Sequence, residues 1–139
     1  MNKNSWTRFF LFLVVVIVMG GFLFKISPDI EEYFSSAKYH GKWEGEVDSK
    51  TPFSIIFKSQ NEVVVIFGNE TLIGSFQIDD QKNPNWIDID FSNKSATDVR
   101  GIIEMLDNST IRVQLTGINA PRPKNFNQNE QLVLKKASN

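Results

Sequence analysis

The sequence predicts an all-β protein, an eight-stranded antiparallel up-and-down β-barrel preceded by one transmembrane helix and a short linker helix. Three observations predict it. In Trp86-Ile87-Asp88-Ile89-Asp90-Phe91 the apolar Ile87, Ile89 and Phe91 alternate with Asp88 and Asp90, the period of two that a half-buried strand needs and a helix cannot use. Runs of this kind recur down the chain, separated by turn-forming residues such as Ser59-Gln60-Asn61, Gly68-Asn69 and Asp107-Asn108. Ahead of them, Phe9 to Phe24 is an unbroken apolar run.

The N-terminal element, residues 1–27, reads as a membrane anchor. At 1.5 Å per residue a helix from about Trp6 to Ile26 spans roughly 30 Å, the thickness of a bilayer core, with Trp6 suited to the interface and Lys25 able to snorkel. The competing reading is a cleaved export signal, but no small-x-small site follows the run. Lys3 and Arg8 precede it, whereas Asp29, Glu31 and Glu32 follow. The positive-inside rule therefore leaves the N terminus in the cytoplasm and exports the rest. The expectation is a signal-anchored, single-pass protein of a bacterial inner membrane with its C-terminal domain in the periplasm.

Residues 28–39 read as a linker with a short helix. Pro28 suits a first helical turn, Asp29, Glu31 and Glu32 favour the positive end of the helix dipole, and Ile30, Tyr33, Phe34 and Ala37 fall on one face. That face serves to close the bottom of the following domain or to meet another membrane protein.

The domain, residues 40–139, is strand after strand: Gly41 to Asp48, Phe53 to Lys58, Glu62 to Phe67, Thr71 to Ile78, Trp86 to Phe91, Val99 to Leu106, Thr110 to Thr116 and Gln131 to Lys136. Phe53, Ile55 and Phe57 alternate with their neighbours, as do Val63, Val65 and Phe67, then Leu72, Gly74, Phe76 and Ile78, then Ile111, Val113 and Leu115. Short consecutive strands with tight connections favour a meander, and closing eight of them removes both edges and leaves an interior that is either filled or able to hold one small ligand. A two-layer sandwich is the rival architecture.

Gly41-Lys42-Trp43 at the start of the first strand resembles the Gly-x-Trp signature of lipocalin-like barrels. The series Asn83-Pro84-Asn85-Trp86-Ile87-Asp88, Arg100-Gly101-Ile102-Ile103-Glu104, Ile111-Arg112-Val113, Pro121-Arg122-Pro123-Lys124-Asn125-Phe126 and Leu132-Val133-Leu134-Lys135 is similar, in order and spacing, to a widespread bacterial family of small lipocalin-like domains of uncharacterised function. The resemblance covers nearly the whole exported domain and implies a barrel, not a particular ligand. Ile103 stands where that family usually has Tyr, Gln114 or Leu115 replaces a Cys often found after the Arg, and the membrane anchor is not part of the shared pattern.

Composition narrows the function classes. Of the charged residues only Lys3, Arg8 and Lys25 fall in the first 25, so the remainder carries more acidic than basic side chains. That balance argues against nucleic acid as a partner, because phosphate binders cluster Lys and Arg. There is no cysteine, which removes disulfides, thiolate chemistry and a cysteine metal site. The single histidine, His40, reads as a junction residue before the first strand. A His-Asp-Ser site would need His40, Asp88 or Asp90 and a serine such as Ser75 to meet, and nothing in the spacing places them together. Asp88 and Asp90 share a strand face like a glycosidase pair, but their alternation with Ile87, Ile89 and Phe91 puts them on the wet side. No calcium loop or phosphate loop is present. Neither a cofactor nor a metal is expected.

Two arginines stand apart. Arg112 is opposite in parity to Ile111 and Val113, and Arg122 lies between prolines in a loop rich in Asn. Arg122 is expected to stack on Trp43 or another aromatic and close the barrel end, with Trp43 and Phe126 brought to one seam between the first and last strands. In the alternative, Arg112 and Arg122 are rim residues for the anionic head of a small apolar ligand, with Trp43, Phe57, Phe67, Phe76, Trp86 and Phe126 as the other candidates around it. The leading functional expectation is a membrane-tethered accessory domain that recruits a membrane or periplasmic protein partner. Binding of a small apolar or anionic-headed ligand in the barrel is its alternative, and a hydrolase of unknown type comes third. A continuous apolar cavity above about 300 Å³ with a mouth near Trp43 or Arg122 would reverse the first two.

Overall fold

The computed structural model describes residues 36–94 and 96–138. The anticipated anchor, and all of the linker before Ser36, lie outside the described residues. Among the described residues no helix is long and apolar enough to cross a membrane.

The domain is a closed antiparallel barrel in which each strand pairs with its neighbours in sequence and the last pairs with the first. The strands are β1 (Gly41–Val47), β2 (Thr51–Phe57), β3 (Glu62–Phe67), β4 (Glu70–Asp79), β5 (Asn85–Phe91), β6 (Val99–Asp107), β7 (Thr110–Gly117) and β8 (Leu132–Lys136). All eight expected strands are present, and the topology is lipocalin-like. The sandwich is excluded by the β1–β8 ladder, which pairs Trp43 with Lys136 and Glu44 with Lys135.

Alternation decides which side chains fill the interior. Trp43, Ile55, Val63, Phe76, Ile87, Ile89, Ile103, Ile111, Val113 and Leu134 are all buried, each at an inward position of its strand. Asp88 and Asp90 face outward, as their parity requires. Two glycines mark where neighbouring backbone approaches closest: a Cβ at Gly74 would lie 2.2 Å from the carbonyl oxygen of Asp90, and one at Gly101 would lie 2.0 Å from that of Gln114. Only glycine lets the neighbouring backbone approach so closely.

The chain approaches β1 through a helical turn at Ser36 and Ala37, after which the Tyr39 amide donates to the Ser36 carbonyl at 2.9 Å. This turn delivers Tyr39 into the end of the barrel where β1 begins.

Candidate functional site

The two ends of the barrel differ. At the end where β1 begins, Tyr39 acts as a plug. It is fully buried, its backbone carbonyl accepts the Trp43 indole Nε1–H at 2.7 Å, and its hydroxyl accepts from Asn85 Nδ2 at 3.0 Å. Its ring meets Phe57 edge-on at 6.3 Å, and Phe57 meets Phe76 at 4.8 Å, separations at which edge-to-face aromatic pairs are favourable. Lys136 Nζ lies 5.3 Å from the centre of the Trp43 ring. Burial pushes the Tyr39 hydroxyl above its ordinary 10.0, outweighing the Asn85 hydrogen bond that lowers it, and the Glu104 and Asp80 carboxylates raise it further. This end is packed shut.

At the opposite end the barrel presents an open pocket of about 620 Å³. Its apolar wall comes from Phe53, Val65, Leu72, Val99 and Leu115, and its mouth from Phe67, Glu70, Thr71, Phe91 and the loop after β5, including Asn93 and Thr97. The opening has a simple origin. Phe53, Val65, Leu72, Phe91, Val99 and Leu115 sit at inward positions near the strand ends, and no residue equivalent to Tyr39 folds in over them. The loop after β5 is pinned in place: the Phe91 amide donates to Asp98 Oδ1 at 2.9 Å and the Ser92 amide to the Ile73 carbonyl at 2.9 Å. No Lys, Arg or His lines the cavity among the described residues.

The arginines are elsewhere. The loop from Ile118 to Gln131 folds back along the outer wall over β5, β6 and β7. Arg122 places its guanidinium 4.6 Å from the centre of the Trp86 ring. Its Nη1 donates to the carbonyls of Ile87 and Gly101 at 2.9 and 2.8 Å, and its Nη2 pairs with Asp88 at 2.6 Å. Further along, Gln114 donates to Glu130 at 2.8 Å and accepts the Asn127 amide at 2.8 Å. Ile102 lies between Trp86 and Gln114 in the register and is fully buried, so the loop passes over it. Arg112 pairs with Glu104 across β6 and β7 and stacks 4.2 Å from the Phe126 ring centre. A shallow crevice of about 470 Å³ between β7 and this loop is lined mainly by polar groups and prolines.

The expected site residues therefore divide into three groups. Trp43, Phe57 and Phe76 belong to the packed end. Phe67, 44% exposed, stands at the cavity mouth. Trp86, Arg112, Arg122 and Phe126 form a clasp on the outer wall. Arg122 stacks on Trp86 rather than Trp43, and Phe126 sits over β7 rather than at the β1–β8 seam. The mouth is near neither Trp43 nor Arg122. The expectation of an arginine-lined rim fails because Arg122 and Arg112 follow outward parity and find carbonyl, carboxylate and ring partners on the barrel's outside. Asp88 is engaged by Arg122, and among the described residues no group of three His, Asp or Glu side chains could hold a metal ion.

Comparisons with family models, with curated proteins and with solved structures found no match.

Proposed function

We propose that the barrel binds a small apolar ligand through its open end. The observation that carries this reading is the open pocket of about 620 Å³ with Phe53, Val65, Leu72, Val99 and Leu115 in its lining, a volume within the range of small-molecule sites, although its mouth lies away from Trp43 and Arg122. A packed end gives rigidity, while the open end leaves inward-facing Phe67 and Leu72 partly in contact with solvent. Apolar surface of this kind gains about 25 cal/mol per Å² when a ligand covers it. The ligand reading thus displaces recruitment of a protein partner as the leading one. The apolar run at Phe9 to Phe24 and the charges flanking it support an inner-membrane tether with an exported barrel.

The test is a titration of the full-length protein with the uncharged fluorophore N-phenyl-1-naphthylamine. Leu115→Trp, which adds bulk inside the cavity, is expected to remove the saturable component while circular dichroism stays that of a folded barrel. Trp86→Phe, on the outer wall, is expected to retain it. A saturable signal equal in wild type and Leu115→Trp, or none in wild type, would overturn the proposal.

A further inference from the structure

Resting on the ligand-binding reading, we propose that the ligand carries a cationic polar end, an alkylammonium-type group, held at the mouth by Glu70 and the rings of Phe67 and Phe91. Glu70 opens β4 two residues before Leu72, so it continues the inward-facing line of that strand out to the rim. It lies directly across from Phe67 in the β3–β4 register, and both line the cavity together with Phe91. Four acidic side chains among the described residues are ion-paired elsewhere: Glu44 with Lys42, Glu62 with Lys58, Glu104 with Arg112 and Asp88 with Arg122. Among the described residues Glu70 has no such cation. The remaining polar groups at the mouth, Thr71, Asn93 and Thr97, are neutral.

A carboxylate at the lip of a low-dielectric wall focuses negative potential into the opening. Aromatic faces beside it add attraction for a cation and none for an anion. An anionic head would meet Glu70, and among the described residues no base lines the pocket to compensate. The mouth therefore sorts apolar ligands by the charge of their polar end, favouring positive over neutral and neutral over negative.

The experiment uses three probes with the same eight-carbon tail, n-octylammonium, octan-1-ol and octanoate, titrated calorimetrically into the full-length protein at neutral pH and low salt. The heat counted is the part that Leu115→Trp removes. Octylammonium is expected to bind roughly tenfold more tightly than octanol, with octanoate weakest, and added salt is expected to narrow the gap. Glu70→Gln changes an exposed rim residue without disturbing the wall. It is expected to bring octylammonium to within about threefold of octanol. Octanol binding as tightly as octylammonium, or a preference that survives Glu70→Gln, would overturn this inference while leaving ligand binding intact. Binding of none of the three would overturn both.

Discussion

Arg122 illustrates how one side chain can fix a long loop. Two backbone carbonyls, a carboxylate and an indole face all converge on it, and its side chain is only 15% exposed. Arg122→Ala leaves those carbonyls without their donor and frees the loop from the wall. The expected loss is about 2 kcal/mol in urea unfolding. Arg122→Lys recovers less than half, because an ammonium cannot span two carbonyls and stack at once. The Arg112–Glu104 pair is more exposed, and Arg112→Ala is expected to cost less than about 1 kcal/mol. The sequence marked both arginines by their parity and by flanking prolines, but it could not name their partners, since Trp86, Ile87 and Gly101 come together with Arg122 only after β5 and β6 pair. Tyr39 was not legible: the apolar linker face falls on Ile30, Tyr33, Phe34 and Ala37, and Tyr39 only ends the linker. Its depth gives a pH signature. The folded state holds the phenol proton more tightly than the unfolded chain, so its contribution is fully present below about pH 10 and is lost as pH rises through the higher folded value. Tyr39→Phe is expected to make the alkaline fall in melting temperature shallower, while costing about 1 kcal/mol at neutral pH for the lost Asn85 bond.

At the scale of elements, strand positions were readable because inward and outward residues alternate without interruption through most of the chain. Ile87, Ile89, Asp88 and Asp90 took the faces their parity required. What was not readable was the path of the Ile118 to Gln131 loop, which has no periodicity and is positioned by Gln114, Asn127 and Glu130 contacts between distant segments. Nor was it readable which barrel end would stay open, because that depends on the turn at Ser36 tucking Tyr39 into one end only. Gly101 tests the close approach of β6 and β7. Gly101→Ala sets a methyl group against the Gln114 carbonyl and is expected to destabilise by about 3 kcal/mol or more, as overpacking against fixed backbone does. The β1–β8 seam closes through only two register pairs, with the Ala137 amide donating to the Lys42 carbonyl beside them. Native-state hydrogen exchange is expected to show these amides opening first, and those of the longer β6–β7 ladder last.

For the whole molecule, the proposed anchor and the barrel can be tested separately. A reporter active only after export, fused to Asn139, is expected to give signal, and protease added to cells with a permeabilised outer layer is expected to remove the barrel. Protection of the barrel under those conditions would reverse the assigned orientation. The central claim is that the end remote from Tyr39 receives an apolar ligand, and methyl NMR of the full-length protein during titration with octan-1-ol tests it most directly. Saturable shifts are expected at Val65, Leu72, Val99 and Leu115, with Ile111 at the packed end and Val133 on the outer wall unmoved. Shifts confined to Val133 and Ile73 on the outside, or none at the four cavity residues, would contradict it.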